Sequence, residues 1–477
     1  MVFSSNIFLF FFLPIFLMAY FITPQKFRNY TLLLFSLVFY AYGAPDFVFL
    51  LVGECIVNYF IVKAMSRCTD GVHTVSTTKK KILCALSIVM ALGLLLYFKY
   101  ANFLVENFNA VLGWLHHEPV QWMKVALPIG ISFFTFQSIT YTLDVYRGVT
   151  PPSKKLTDYV LYIMMFPQLI AGPIVNYNSV AAQLIERSST MEDRVVGFYR
   201  FIIGLAKKVL IANTLAAYAD QVFAMNYGEL ATSTAWLGIL SYTFQIYFDF
   251  SGYSDMAIGL GKMMGFRFPE NFNDPYTSRS VTEFWKRWHM TLGNFIMNYL
   301  YIPLGGNRRG KGRMYLNLWL CFLLSGLWHG ASWNFVLWGA FHGLFICADK
   351  LFLKDLLKKS GKIIPVVLTF FIVNMGWVMF RIEDVGTLGG FYQALFAFRG
   401  GTITYPDLLF WFTFALAVVF SFLTLFKGGQ KLQDCIFADS YSQQLSWLML
   451  VVCLILLVLS AGSLCVSNFN PFIYFRF

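Results

Sequence analysis

A run of 35 residues, 314–348, contains no aspartate, glutamate, lysine or arginine. A transmembrane helix needs about 20 apolar residues, so this run is long enough for two crossings joined by a short loop. Similar apolar segments recur along the chain, which is 58% hydrophobic and only 13% charged, whereas a soluble chain has about 25% charged residues. We therefore predict an all-α polytopic membrane protein, since the short alternating segments of an outer-membrane barrel are not found.

Twelve segments are apolar and long enough to span a bilayer, which predicts a helical bundle with about 11–12 transmembrane helices. They are 5–23, 29–44, 46–65, 82–104, 125–146, 195–222, 234–261, 314–330, 334–349, 363–380, 408–426 and 446–466. The sequence shows neither an internal repeat nor a separate soluble domain. We expect a single integral membrane domain, 1–477, with its motif-bearing core at about 125–350.

The positive charges predict the orientation of these helices. Most lysines and arginines lie in loops that fall on one side of the membrane if the N-terminus is outside. The positive-inside rule places those loops in the cytoplasm and both termini outside. The net charge of +12 is then explained by topology and by contact with anionic membrane lipid, and nucleic acid is not expected as a partner.

Two further apolar segments, 158–177 and 289–306, have basic residues on both flanks. Each must return to the side from which it came, so we predict that both are re-entrant or interfacial. Irregular backbone at membrane depth persists only where protein or a water-filled cavity covers it. The two segments therefore predict a funnel or tunnel that opens to the cytoplasm.

His329 is the strongest candidate for a chemical role. It lies inside the uncharged run, between Trp328 and Gly330, and about 24 Å along a helix from Arg313. An ionisable residue at membrane depth is rare and usually faces an interior cavity, and an imidazole exchanges a proton near neutral pH. The alternative is a neutral imidazole that hydrogen-bonds two helices.

The other histidines divide into two groups. His73, His116 and His117 lie in loops and are explained by surface polarity. His289 follows Trp288 in "TEFWKRWH" and is either an interfacial anchor in the headgroup belt or a second catalytic group. His342 is read as a packing residue.

Two carboxylates and a basic loop are further candidates. Asp249 and Asp255 lie in an apolar segment, so we expect them to be protonated or hydrogen-bonded to neighbours such as Tyr253. The loop "NRRGKGR", 307–313, is either a topological signal or a rim that attracts a phosphate-bearing donor. It lacks the order of a Walker A loop. The eight cysteines are scattered without a C-x-x-C pair, so no metal site is expected.

Seven segments together resemble one family. They are "LPIGISFFTFQSITYTLDVYRG" (127–148), "FPQLIAGPIV" (166–175), "IYFDFSGYSDMAIGLGKMMGF" (246–266), "ENFNDPY" (270–276), "FWKRWHMTL" (284–292), "YIPLGGNRRG" (301–310) and "SGLWHGASWNFVLWG" (325–339). In this order they are similar to the membrane-bound O-acyltransferase (MBOAT) superfamily, and most of all to its bacterial polysaccharide branch of alginate-type O-acetyltransferase membrane subunits.

The resemblance implies site residues. It implies that His329 is the essential catalytic residue, where a cytoplasmic funnel meets an outer one, and that His289 is the second signature residue. The residues expected to bind the donor or line the funnel are Asp249, Tyr253, Asp255, Asn271, Lys286, Arg287, Trp288, Trp328, Arg308 and Arg309.

The resemblance also implies a reaction. An acetyl group would pass from a cytoplasmic thioester, acetyl-CoA or an acyl carrier protein, with no permanently bound cofactor. It would cross the bacterial inner membrane to an extracytoplasmic SGNH-type acetyltransferase that acetylates alginate, peptidoglycan or another exopolysaccharide. Three alternatives stay open: D-alanyl transfer to teichoic acid by the same fold, a transporter of a small molecule or polymer precursor, and a non-catalytic scaffold.

Overall fold

The structure, a computed structural model, describes residues 2–69, 77–466 and 469–472. His73 lies outside the described residues. Within these residues every regular secondary-structure element is a helix. The one β-type pairing among them is an isolated bridge between Leu230 and Thr402. The all-α prediction is confirmed. The chain divides into two compact units, Met1–Thr190 with Gly261–Phe268, and Met191–Leu260 with Pro269–Phe477.

The first unit contains nine α-helices. They are α1 Leu13–Ile22, α2 Arg28–Gly43, α3 Val48–Ser66, α4 Thr77–Leu95, α5 Ala101–Trp114, α6 Ile131–Arg147, α7 Leu156–Met164, α8 Phe166–Leu169 and α9 Tyr177–Ile185 within the described ranges. The π-helical turn Phe8–Phe12 precedes α1, and a second, Leu96–Tyr100, joins α4 to α5.

The second unit contains the remaining helices, and only the last turn of α12 belongs to the first. They are α10 Met191–Ala206, α11 Asn213–Phe223, α12 Thr232–Met263, α13 Val281–Arg287, α14 Met290–Ile296, α15 Lys311–His329, α16 Trp333–Ala348, α17 Lys354–Lys358, α18 Ile363–Arg381, α19 Val385–Phe396, α20 Leu408–Phe422, α21 Lys427–Ile436 and α22 Gln443–Val466. The π-helical turns Lys207–Ala212 and Asp349–Leu353 join α10 to α11 and α16 to α17.

Each of the twelve expected spans overlaps a helix of the structure. Six helical stretches of the described chain are long and apolar enough to cross a membrane, so the protein is a multi-pass membrane protein. They are Pro45–Ser66, Thr78–Trp114, Trp333–Lys358, Ile363–Arg381, Leu408–Leu425 and Gln443–Val466. The total of about 11–12 crossings and the single domain over 1–477 stay predictions.

Both segments expected to be re-entrant are short, interrupted helices. In the first, α7 ends at Met164 and the four-residue helix α8 follows after a break at Met165. Side chains satisfy the freed backbone, since the Gln168 amide donates to the carbonyl of Tyr162 at 2.6 Å. The second is α14 continued by the π-helical turn Met297–Tyr301. In the first segment, protein covers the irregular backbone, as physical chemistry requires.

Helices α10 and α12 approach each other so closely that their glycines meet backbone. A Cβ atom on Gly204 would lie 2.5 Å from the carbonyl oxygen of Gly252, and one on Gly259 would lie 2.5 Å from that of Gly197. The two glycines of each helix are seven residues apart, about two helical turns, so they share one face. Only glycine allows this separation, and we name the four residues the glycine seam.

The glycine seam brings cations onto the buried carboxylates of α12. Arg200 and Lys207 contact Asp255 at 2.8 and 2.7 Å, and Lys208 contacts Asp249 at 2.7 Å. Asp255 is thus hydrogen-bonded, as expected, but to cations and not to Tyr253, and both carboxylates are paired. Their partners come from another helix, because a buried carboxylate is stabilised best by a hydrogen-bonded cation.

Replacing Gly252 by alanine tests the glycine seam. The new methyl group would lie 2.6 Å from the carbonyl oxygen of Gly204, so the helices must separate at a cost of about 1–3 kcal/mol. We expect a lower apparent Tm for the purified protein in differential scanning fluorimetry. The matched control is Gly462→Ala on α22, where a Cβ meets nothing within 4 Å. An unchanged Tm for G252A would contradict the close approach.

Candidate functional site

His329 is placed by the tight packing of two consecutive helices. It is the last residue of α15, and a loop of three residues leads into α16 at Trp333. The helices touch through glycines, since a Cβ on Gly326 would lie 2.2 Å from the carbonyl oxygen of Phe335, and one on Gly339 would lie 2.5 Å from that of Phe322. The imidazole therefore lies at a fixed depth, about 27 Å along α15 from its start at Lys311.

The His329 ring is held among aromatic side chains. Its Nδ1 lies 2.7 Å from the carbonyl oxygen of Ser325, one turn earlier. A carbonyl only accepts, so Nδ1 carries the proton and Nε2 carries the lone pair. Ring centroids of Trp328, Trp338 and Phe380 lie 4.8, 4.9 and 5.5 Å away, and His329 is 4% exposed.

His289 is fixed by Asn271. Its backbone is left-handed (φ 44°), which turns the chain between α13 and α14. The Oδ1 atom of Asn271 accepts from the backbone N–H and the hydroxyl of Thr291 at 3.3 and 2.9 Å. That oxygen also lies 3.0 Å from His289 Nδ1, which must therefore be the donor. His289 Nε2 is thus an acceptor, and among the described residues it has no hydrogen-bond partner.

The two histidines are neighbours across one tryptophan. The Trp328 ring lies 5.9 Å from the His289 ring and 4.8 Å from that of His329. Phe250 of α12 closes the other side of His289, with centroids 4.7 Å apart. We call His289, His329, Asn271 and Trp328 the two-histidine site.

The two-histidine site has the properties of a proton-transfer centre. Each imidazole uses Nδ1 to hold its orientation, which leaves Nε2 as the basic atom. Aromatic walls exclude water and fix the geometry of whatever enters. Among the described residues no group of three His, Cys, Asp or Glu is placed to hold a metal.

The structure brings only some of the predicted residues together. Asn271 and Trp328 touch the histidines, as described above. Asp249 forms an ion pair with Lys208, and the Tyr253 ring stacks on that of Phe472. Asp255 forms its ion pairs with Arg200 and Lys207.

Trp288 is not at a headgroup surface, the place that an interfacial anchor requires. It is 3% exposed and packs against Phe272 and Trp377, with centroids 5.1 and 4.9 Å away. The interfacial interpretation of this stretch is therefore wrong for Trp288, which belongs to the aromatic core beside the site. Sequence alone cannot distinguish the two, because both environments favour tryptophan.

The basic candidates lie away from the histidines. Lys286 is exposed, and Arg287 forms an ion pair with Glu283 at 2.6 Å. Arg308 and Arg309 are exposed in the loop before α15. That loop turns through three glycines with positive φ, at 305, 306 and 310, so both guanidinium groups are available to an anionic ligand.

Sequence reasoning missed several residues of the site. Trp338 and Phe380 pack on His329, and Ser254 accepts a hydrogen bond from Asn271 at 3.1 Å. Phe250 and Ser254 are four residues apart, a spacing that places them on one helical face. That spacing could have indicated that both line the same site. His342 packs as predicted, since its Nδ1 accepts from the Trp285 indole at 3.3 Å.

Comparison with known proteins connects this site to a family. Residues 147–382 match the family described as MBOAT, membrane-bound O-acyltransferase family. The chain is 48% identical over 398 residues to a probable alginate O-acetylase AlgI of Pseudomonas syringae pv. tomato. The aligned region covers 83% of this chain and 76% of that protein. It is 42% identical over 493 residues to the probable AlgI of Pseudomonas putida, covering 100% of both. A peptidoglycan O-acetyltransferase of Helicobacter pylori is 36% identical over 420 residues, 81% of this chain and 78% of that protein.

The tautomers at the two-histidine site provide a direct test. In protein labelled with ¹⁵N-histidine, we expect His289 and His329 to give ring signals of neutral imidazoles protonated at Nδ1. Asn271→Ala removes the acceptor that fixes His289, so its signal should become a mixture of tautomers while that of His329 stays unchanged. The matched control is Asn273→Ala in the same loop, where the residue is exposed. A His289 signal that is identical in N271A would contradict the assignment.

Proposed function

We propose that this chain, which belongs to the membrane-bound O-acyltransferase family, passes an acetyl group from a cytoplasmic thioester across the membrane for O-acetylation of an extracytoplasmic polysaccharide. Its being an acyltransferase follows from the family, and the donor, the direction and the polymer are our proposals. The observation that carries them is the buried imidazole pair, in which each Nδ1 atom is engaged by an oxygen, so that Nε2 is the atom with the lone pair.

His329 acts as the general base in the proposed reaction. Its Nε2 takes the proton of an acceptor hydroxyl, and the resulting oxygen attacks the thioester carbonyl. The carbon–sulfur bond breaks, and the thiolate leaves with the proton that the imidazole returns. A well-placed general base contributes about 10²–10⁴-fold to such a step. Because His329 is 4% exposed, substrates reach it only by displacing side chains such as the Trp328 ring.

His289 assists on the donor side. Its Nε2 faces no protein partner within the described chain, and it is held independently of His329 by Asn271. The Trp328 ring lies against both imidazoles. A covalent acyl-histidine and a general base use the same atom and the same geometry, and both are compatible with this arrangement.

The exposed loop before α15 supports a phosphate-bearing donor. Arg308 and Arg309 lie just before the N-terminus of α15, whose first residue, Lys311, is about 27 Å from His329 along the helix. A long thin molecule with phosphates at one end and a thioester at the other suits this separation, which is the chemistry of acetyl-CoA or of an acyl carrier protein. The positive charge attracts such an anion.

The location and partner follow from the same reasoning. The positive-inside rule places this loop in the cytoplasm, so the protein would lie in the bacterial inner membrane with both termini outside. The names of the relatives from Pseudomonas and Helicobacter refer to alginate and to peptidoglycan. We infer that the acceptor is a polysaccharide of this kind and that an extracytoplasmic SGNH-type acetyltransferase completes the transfer.

Replacing His329 by alanine tests the reaction. We expect H329A to lose about 10²–10⁴-fold of acetyl transfer, followed as free thiol released from acetyl-CoA and as acetyl on the polymer in the presence of the purified partner. The matched control is His117→Ala, because His117 is exposed. Full transfer by folded H329A would overturn the assignment. Accumulation of substrate without thiol release would instead indicate a transporter, and thiol release only from a D-alanyl thioester would indicate teichoic acid chemistry.

Reversing the charge of Arg308 and Arg309 tests the donor. We expect the double variant R308E/R309E to raise KM for acetyl-CoA by about tenfold, more at low salt, and to leave kcat near its wild-type value. Lys359→Glu, at an exposed lysine beyond α17, is the control for net charge. An unchanged KM would remove the loop from the donor path.

A further inference from the structure

The C-terminal segment, which we define as residues 469–472, is partly exposed at Phe469 and packs into the second unit through its last residues. Phe472 is 4% exposed, and its ring stacks on that of Tyr253 with centroids 4.8 Å apart and planes at 28°. Asn470 accepts a hydrogen bond from the Asn213 amide at 3.2 Å. These contacts hold the segment against the rest of the second unit, and a buried cation explains why.

The buried cation is Lys208, which contacts the C-terminal segment directly. Its ammonium group is 2% exposed and has three donor positions. The ammonium group forms an ion pair with Asp249 at 2.7 Å, and it donates hydrogen bonds to Asn213 Oδ1 at 2.9 Å and to the carbonyl oxygen of Pro471. A buried charge is stable only when its hydrogen bonds are complete. The C-terminal segment therefore completes the environment of a cation at the centre of the second unit.

The same turn of α12 carries the two-histidine site on its adjacent face. Asp249 and Tyr253 face Lys208 and the C-terminal segment. The next residue after each, Phe250 and Ser254, faces the site: Phe250 packs on His289 at 4.7 Å, and Ser254 accepts from Asn271. One residue rotates the helix by about 100°, so both contacts move together when this turn moves.

We propose that the C-terminal segment positions the two-histidine site by fixing residues 249–254 of α12. Phe472 and Pro471 are positioning residues, since they act on His289 only through α12 and Asn271. The expected effect on kcat rests on the proposed function. The contact path from Phe472 through α12 and Asn271 to His289 does not depend on the substrate.

Phe472→Ala in the full-length protein is the test. We expect kcat for acetyl transfer to fall by about tenfold to a hundredfold, with KM for the donor little changed, and the ¹⁵N ring signal of His289 to become a mixture of tautomers. Phe472→Leu keeps the apolar bulk and should restore both. The matched control is Phe426→Ala, at a phenylalanine that is 70% exposed.

The outcomes separate the inference from the proposed function. A wild-type kcat and an unchanged His289 signal in folded F472A would overturn the inference. If wild-type protein transfers no acetyl group, the proposed function fails while the His289 signal still decides the link. If F472A does not fold, Asn470→Ala decides in the same way, because it removes only the bond from Asn213.

Discussion

The contact between α10 and α12 at the glycine seam is the interaction on which the second unit depends. Gly204 and Gly252 let the two backbones touch, and that separation places Arg200, Lys207 and Lys208 within ion-pair distance of α12. A larger side chain would push the helices apart and leave buried carboxylates without cations. An unpaired buried charge costs about 3–5 kcal/mol, so sterics and electrostatics enforce the same geometry.

Helix α12, fixed by its contact with α10, in turn fixes the position of His289. One face is held by cations and the other carries Phe250 and Ser254 against His289 and Asn271. His329 is positioned by a different pair of helices, α15 and α16, which pack tightly against each other. Each imidazole therefore has its own scaffold, and Trp328 is the contact between them. A reaction that needs two bases at fixed positions is served by rigid helices better than by loops.

Much of this arrangement was visible in the sequence, and the misses have physical causes. His329 lies at a helix end next to Gly330, close to the end of the predicted span 314–330. Asp255 was assigned the wrong partners, because its cations lie 48 and 55 residues away in sequence. Trp288 is buried, although one interpretation of its stretch was an interfacial anchor. Helices α19 and α21 were not predicted, since neither is long or apolar enough to be read as a membrane span.

The sequence by itself determined the all-helical membrane architecture, the broken segments and the identity of the histidines. These follow from local rules: apolar length, the clash of proline with helical backbone, and the cost of an ionisable group in lipid. Only the tertiary structure decided which Nε2 atoms are basic, which cations neutralise Asp249 and Asp255, and that Phe472 returns to Tyr253. Those are contacts between residues distant in sequence, and their distances are set by how closely helices pack, a quantity that no single segment encodes.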